Sequence, residues 1–106
     1  MITYINNLFL TQKANKRLEY IKNDIDKKNF ITRSCIITLS NGDDVFDIIP
    51  VFNLKFSRLY EDDLVVLGLA ESRKAAIKLC SEMTALYFSE ERNISMKDYF
   101  KGYINK

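Results

Sequence analysis

The stretch SCIITLSNGDDVFDII, residues 34–49, decides the fold. Asn41 and Gly42 lie between two runs of β-branched and aromatic residues, and this dipeptide is the strongest short-range signal of a β-hairpin. Both central residues of a type I′ turn need a positive φ, which Asn tolerates and Gly adopts freely. The segment therefore predicts two antiparallel strands joined by a two-residue loop.

The two-residue loop also predicts a register, in which Ile37 opposes Phe46 and Cys35 opposes Ile48. The residues on the predicted buried face are Cys35, Ile37, Leu39, Phe46 and Ile48. The opposite face is mixed and carries Ile36, Thr38, Val45, Asp47 and Ile49. A slip by one residue would exchange the two faces, so the apolar pattern supports this alternation.

The segments on the carboxyl side of the hairpin predict two further features of the sheet. Apolar residues continue at even positions to Phe52, Leu54 and Phe56, and Pro50 indicates a bulge or an edge position because proline cannot donate to a β-ladder. We therefore expect a long strand that bends at Pro50. The run LVVLGLA, residues 64–70, favours a third strand, and the rival interpretation is a helix that begins at Ser57 and ends at Gly68.

Three segments predict helices. Apolar residues at helical spacing define the first helix, which begins near Asn7 or at Thr11 as N-cap and ends near Lys28. Its buried face is Ala14, Leu18, Ile21 and Ile25. Ser72 is the predicted N-cap of a long helix, and Ser95 is the predicted N-cap of a short one. The apolar face of the short helix is Met96, Tyr99, Phe100 and Tyr103.

These elements predict one α+β domain over residues 1–106, a length typical of a single domain. The expected order is helix, three-stranded antiparallel meander, long helix and short C-terminal helix (α-β-β-β-α-α). A sheet with one dominantly apolar side favours two layers, with the long helices on that side.

The composition excludes several kinds of catalytic site. The chain has no histidine, two cysteines and three glycines. It therefore lacks Ser-His-Asp and Cys-His nucleophiles, His-ligated zinc sites and phosphate-cradling glycine loops. We expect no cofactor, no catalytic residues and no enzymatic activity. The acidic runs Asp43–Asp44 and 61–63 are typical of solvated turns, although Asp62 and Asp63 leave open a metal-assisted enzyme that binds Mg²⁺ or Ca²⁺.

Several features bear on where the protein works. Cys35 and Cys80 match no metal or redox spacing, and with no signal peptide they indicate free thiols in a reducing compartment. No apolar run approaches the length of a membrane span. We therefore expect a cytoplasmic protein. The abundance of Ile, Lys and Asn is typical of an AT-rich bacterial or phage coding sequence.

The mixed face of the hairpin favours a non-enzymatic protein–protein interaction module, with homodimerisation as one form of it. The residues predicted for this interaction surface are Ile36, Val45, Ile49, Tyr99, Phe100 and Tyr103. The aromatic residues near the C-terminus alternate with Lys97 and Lys101, a pattern that also permits stacking on nucleic acid. We favour docking of this helix on its own sheet or on a second copy.

The segment GLAESRKAA, residues 68–76, resembles the strand-to-helix junction of the double-stranded-RNA-binding domain. A core order α-β-β-β-α is also similar to that family. The resemblance implies a helix start that grips RNA phosphates, here through Arg73, Lys74 and Lys78. The chain departs from the family between its first two predicted strands, where Asp43 and Asp44 stand in place of a Gly-Pro and a histidine that enter the minor groove. Duplex RNA binding is therefore the alternative function.

Overall fold

The structure is a computed structural model that describes residues 2–56, 63–90 and 93–104. Its elements, in chain order, are β1 (Ile2–Leu10), α1 (Gln12–Lys16), α2 (Leu18–Asp26), β2 (Cys35–Leu39), β3 (Phe46–Pro50), a 3₁₀ helix (Val51–Lys55), β4 (Leu64–Ala70), α3 (Arg73–Glu90) and α4 (Met96–Ile104). The α+β class is confirmed. The predicted order lacks β1, which precedes the first helix.

The four strands form one mixed sheet in the order β1-β4-β2-β3. β1 runs parallel to β4, whereas β2 is antiparallel to both β3 and β4. The predicted three-stranded antiparallel meander is therefore wrong. β4 pairs with β2 instead of with β3, and its other side pairs with β1. β4 is apolar on both faces, and such a strand is stable in an interior position where both faces are covered.

Helices cover both faces of this sheet, so the predicted two-layer arrangement is also wrong. On one face, α1, α2 and the 3₁₀ helix pack over Ile36, Ile49, Val66 and Leu69. On the other face, α3 and α4 pack over Cys35, Ile37, Leu67 and Ala70. The molecule has three layers, and each face of the sheet has its own apolar core.

The hairpin forms, but its register differs by two residues from the prediction. Leu39 pairs with Phe46 and Ile37 pairs with Ile48. The loop is longer than two residues, since Ser40 N donates to Val45 O at 2.9 Å. No described glycine has a positive φ, so Gly42 does not complete a type I′ turn. A register shift of two residues leaves each side chain on the same face of the sheet. The face predicted to be buried, which carries Cys35, Ile37 and Ile48, therefore does pack against α3 and α4.

The predicted bent strand is wrong, because β3 ends at Pro50. The following residues turn into the 3₁₀ helix, and Val51 N donates to Ser34 O at 2.9 Å. Residues three apart share one face of a 3₁₀ helix. Val51 and Leu54 therefore point into the core, where they are 0% and 2% exposed.

The predicted N-caps Thr11, Ser72 and Ser95 are confirmed. The alternative start of the first helix near Asn7 is wrong, because Asn7 lies in β1. The Thr11 hydroxyl accepts from Ala14 N at 3.2 Å, the Ser72 hydroxyl accepts from Ala75 N at 3.1 Å, and the Ser95 hydroxyl accepts from Asp98 N at 3.1 Å. The first predicted helix is interrupted at Arg17 into α1 and α2. The strand interpretation of residues 64–70 is confirmed against its helical rival, whose proposed start lies outside the described residues.

Candidate interaction surfaces

The structure places half of the predicted interaction surface inside the protein. Ile36 and Phe100 are 0% exposed and Ile49 is 9% exposed, so these three side chains belong to the core of the chain. Val45, Tyr99 and Tyr103 are half-buried. The mixed sheet face needs no second subunit to cover it, because α1 and α2 already do so.

The helix α4 docks on its own sheet through Phe100. The Phe100 ring meets the rings of Phe46 and Phe9 at centroid distances of 5.1 and 5.8 Å. Tyr99 donates its hydroxyl hydrogen to Glu90 Oε2 at 2.6 Å. Desolvation, together with this bond to a carboxylate, raises the pKa of Tyr99, so its phenol stays protonated and keeps α4 tied to the end of α3.

Two aromatic side chains that the sequence assigned to a strand lie on the surface. Phe52 is 52% exposed and Phe56 is 74% exposed. Their rings contact each other edge to face at a centroid distance of 5.4 Å. The Lys55 ammonium lies 5.8 Å from the centre of the Phe56 ring. We call these two side chains the Phe52–Phe56 pair.

The geometry of the 3₁₀ helix explains why the Phe52–Phe56 pair faces outward. Val51 and Leu54 occupy the buried side of the turn, and Phe52 is displaced from that side by about a third of a turn. The pair was not predicted from the sequence, because apolar residues continue at even positions past Pro50 and favour an extended strand there. The available signal was Pro50 itself, which ends pairing, followed by the three-residue spacing from Val51 to Leu54.

The basic residues predicted for RNA binding lie at the carboxyl edge of the parallel strands. β1 and β4 end at the same edge, and their following helices α1 and α3 leave toward opposite faces of the sheet. This arrangement creates a crevice of about 410 Å³ beyond the strand ends, in the position where open sheets commonly bind ligands. Its polar lining is Thr11, Gln12, Lys13, Glu71, Lys78 and Glu82. Arg73 and Lys74 are exposed in the first turn of α3.

The crevice carries charges of both signs. The Thr11 hydroxyl donates to Glu71 Oε2 at 2.5 Å. This bond, with a smaller contribution from Lys13, lowers the pKa of Glu71. Glu71 therefore remains ionised at neutral pH and opposes the binding of an anion beside Lys13 and Lys78.

The acidic residues and cysteines do not form a metal site within the described residues. Asp43, Asp44 and Asp63 are exposed, whereas residues 61 and 62, and with them the predicted metal ligand Asp62, lie outside the described residues. Within the described ranges, no three Cys, Asp or Glu side chains come close enough to hold a metal ion. Cys35 and Cys80 are free thiols, and burial raises the pKa of Cys80 to about 11.

Comparison of the chain with protein-family models, with curated proteins and with solved structures finds no match. The core order α-β-β-β-α that supported the resemblance to the double-stranded-RNA-binding domain is present from α2 to α3. The arrangement differs from the predicted antiparallel meander with helices on one face, because β1 joins the sheet in parallel and helices lie on both faces. Over the part of the chain that the structure describes, no helix combines the length and the apolar character of a bilayer span.

Proposed function

We propose that this chain is a non-enzymatic protein-interaction module that docks on a partner protein through the Phe52–Phe56 pair. The observation that supports the proposal is the exposure of two mutually contacting aromatic rings, 52% and 74% exposed, on a turn that Val51 and Leu54 anchor in the core. Contiguous apolar surface of this kind marks sites of association. Aromatic side chains also dominate the energy of protein interfaces.

The exposed area determines what kind of contact the pair makes. Two free phenylalanine side chains present roughly 400 Å², so the observed exposures leave about 250 Å² to bury. At about 25 cal/mol per Å², burial of this area contributes about 6 kcal/mol before the costs of association. A stable interface covers roughly 800 Å² on each partner. The Phe52–Phe56 pair is therefore the anchor of an interface rather than all of it.

The chemistry around the pair defines the partner. Two rings in edge-to-face contact need an apolar pocket wide enough for both. Lys55 lies beside the Phe56 ring, and its ammonium group favours an acidic residue at the rim of that pocket. We therefore propose a partner protein with a concave apolar site bordered by Asp or Glu.

Photo-crosslinking tests this proposal in the cell that makes the protein. A photoreactive p-benzoylphenylalanine at position 56 is expected to yield one discrete adduct, and the same group at position 77 is expected to yield none. Ile77 is a suitable control site because it is also exposed, at 50%, but lies on α3. The crosslinked protein is then purified, and its affinity for the chain is measured by calorimetry.

The double variant Phe52→Ala, Phe56→Ala is expected to weaken that affinity by about tenfold or more, as loss of a central aromatic anchor does. Ile77→Ala should leave it unchanged. Because both rings are exposed, the double variant should keep the melting temperature of the parent protein. Equal crosslinking at positions 56 and 77, or an unchanged affinity of the double variant, would overturn the proposal.

A second candidate function is duplex RNA binding, which the cations near this crevice support and the neighbouring Glu71 and Glu82 oppose. Lys13 and Lys78 line the same crevice, so that cations from two strand-to-helix junctions lie together. Arg73 and Lys74 are exposed in the first turn of α3. At 50 mM salt, the wild-type protein is expected to retain duplex RNA, and replacing Arg73, Lys74 and Lys78 with Glu should abolish retention. Retention should fall steeply with salt, because each phosphate contact releases counterions.

A matched variant separates this edge from general charge effects. Lys27, Lys55 and Lys101 are exposed and lie on other elements, and their replacement with Glu changes the net charge by the same amount. This variant should retain duplex RNA as the wild type does. No retention by the wild-type protein at low salt would remove the RNA-binding candidate.

A further inference from the structure

The crevice at the carboxyl ends of β1 and β4 has the size and position of a small-molecule site. Its volume of about 410 Å³ lies within the range of roughly 300–1,000 Å³ that is usual for ligand pockets. Since α1 and α3 leave these parallel strands toward opposite faces of the sheet, the crevice lies at a topological switch point. Open sheets commonly bind ligands at such a point. The residues that line the crevice then define the chemistry of the ligand.

Three apolar side chains line the crevice. Leu10 at the end of β1 and Ala75 on α3 are half-buried. Leu79 lies one turn after Ala75 on α3 and is 4% exposed. A ligand that covers these side chains gains by bringing an apolar portion of its own, because both surfaces are then removed from water.

The charged residues around these apolar side chains balance. Lys13 and Lys78 provide two positive charges, and Glu71 and Glu82 provide two negative charges. A ligand with only negative groups meets two carboxylates, and a ligand with only positive groups meets two ammonium groups. A ligand that carries one group of each sign finds a complement for both.

Glu71 is held in place from the opposite wall of the crevice. The Thr11 hydroxyl donates to Glu71 Oε2 at 2.5 Å and accepts from Ala14 N at 3.2 Å. Thr11 N also donates to Leu69 O at 3.4 Å, so the two strand-to-helix junctions are joined at this point. A carboxylate accepts several hydrogen bonds, so Glu71 can still accept from the ammonium group of a ligand. Because its position is fixed before binding, less conformational freedom is lost on binding.

We propose that this crevice binds a small zwitterion with an apolar portion, the chemistry of a free α-amino acid such as leucine. The ammonium group lies at the two glutamates, the carboxylate lies at the two lysines, and the side chain covers Leu79. Lys13, Lys78 and Glu82 are exposed. Ion pairs at exposed groups are weak, so we expect a dissociation constant of about 1 mM.

This inference goes beyond the proposed docking function and uses a different surface, since neither Phe52 nor Phe56 lines the crevice. Titration of the ¹⁵N-labelled full chain with leucine, methionine and phenylalanine, each to about 20 mM, tests it well above the expected dissociation constant. At least one of the three is expected to shift the backbone amide signals of Lys13, Ala75 and Leu79 progressively. Its N-acetyl derivative lacks the ammonium group and its amide lacks the carboxylate, so each should bind about threefold or more weakly.

The variant Glu82→Gln separates this ligand from duplex RNA. It should weaken amino-acid binding by about threefold or more, whereas loss of a carboxylate should strengthen the retention of a polyanion. Glu19→Gln removes the same charge at an exposed position of α2 and should leave both unchanged. Lys78→Gln is the second test variant and should also weaken amino-acid binding, with Lys27→Gln as its exposed control.

The double variant Phe52→Ala, Phe56→Ala should bind the amino acid as the parent protein does, so failure of the docking proposal and failure of this one are distinguishable. Three results would overturn the inference. They are crevice amide signals that none of the three amino acids shifts, equal binding of the derivatives that carry a single charge, and unchanged binding by both folded crevice variants.

Discussion

Replacing Phe100 with alanine is expected to lower the free energy of unfolding by about 3–5 kcal/mol. Phe100 is 0% exposed and contacts aromatic rings from β1, β3 and α4 itself. Its removal leaves a cavity that rings anchored on separate elements cannot fill together. Since small domains are stable by about 5–15 kcal/mol, this loss removes a large fraction of the protein's stability.

Urea denaturation followed by circular dichroism measures this loss. Phe88→Ala is the matched control, because Phe88 is 62% exposed on α3 and its truncation should change stability by less than about 1 kcal/mol. If Phe100→Ala proves as mild as the control, α4 does not dock on the sheet in the way described.

Replacing Gly68 with alanine is expected to destabilise the protein by about 1–3 kcal/mol. A Cβ atom at position 68 would lie 2.8 Å from the Phe9 carbonyl oxygen and 3.3 Å from the Phe9 Cβ. The nearest atom belongs to the backbone of the neighbouring strand, so relief requires β1 to move away from β4. Amide protons in the second half of β1 should then exchange faster with solvent.

Gly102 provides a control in which the same substitution has the opposite sign. A Cβ at Gly102 would meet no atom within 4 Å, and the residue lies inside α4. Gly102→Ala should therefore raise stability by about 0.5–1 kcal/mol through helix propensity alone. Thermal melts of both variants give the comparison. A neutral Gly68→Ala would contradict the close approach of β1 to β4.

Local signals in the sequence predicted much of the fold. Thr11, Ser72 and Ser95 cap helices as expected, because a cap depends on residues within one turn. The buried face of the hairpin was also predicted correctly, although the register was not. Side-chain alternation has a period of two, so it identifies a face without identifying the length of the loop.

The errors arose where partners are distant in sequence. β1 becomes a strand by pairing with β4, about sixty residues away, and its own apolar residues follow no single period. The coverage of Ile36 and Ile49 by α2 depends on which way the chain turns after β1. The polar residue Thr38 also made that face look mixed, although it is 4% exposed.

The candidate site was harder to predict than the fold. The expected interaction surface included Ile36 and Phe100, which are apolar because they form the core. Hydrophobicity alone does not separate a core residue from an interface residue. Phe52 and Phe56 became candidates when the structure showed them outside the core.

The parallel pairing of β1 with β4 is central to this account, since the crevice and the Gly68 contact both depend on it. Nuclear Overhauser spectroscopy of the labelled protein tests it directly. The account predicts interstrand contacts that join Thr3 with Val65 and Phe9 with Gly68, both in the parallel sense. Helical contacts within residues 2–10, or contacts that pair this segment with β3, would contradict it.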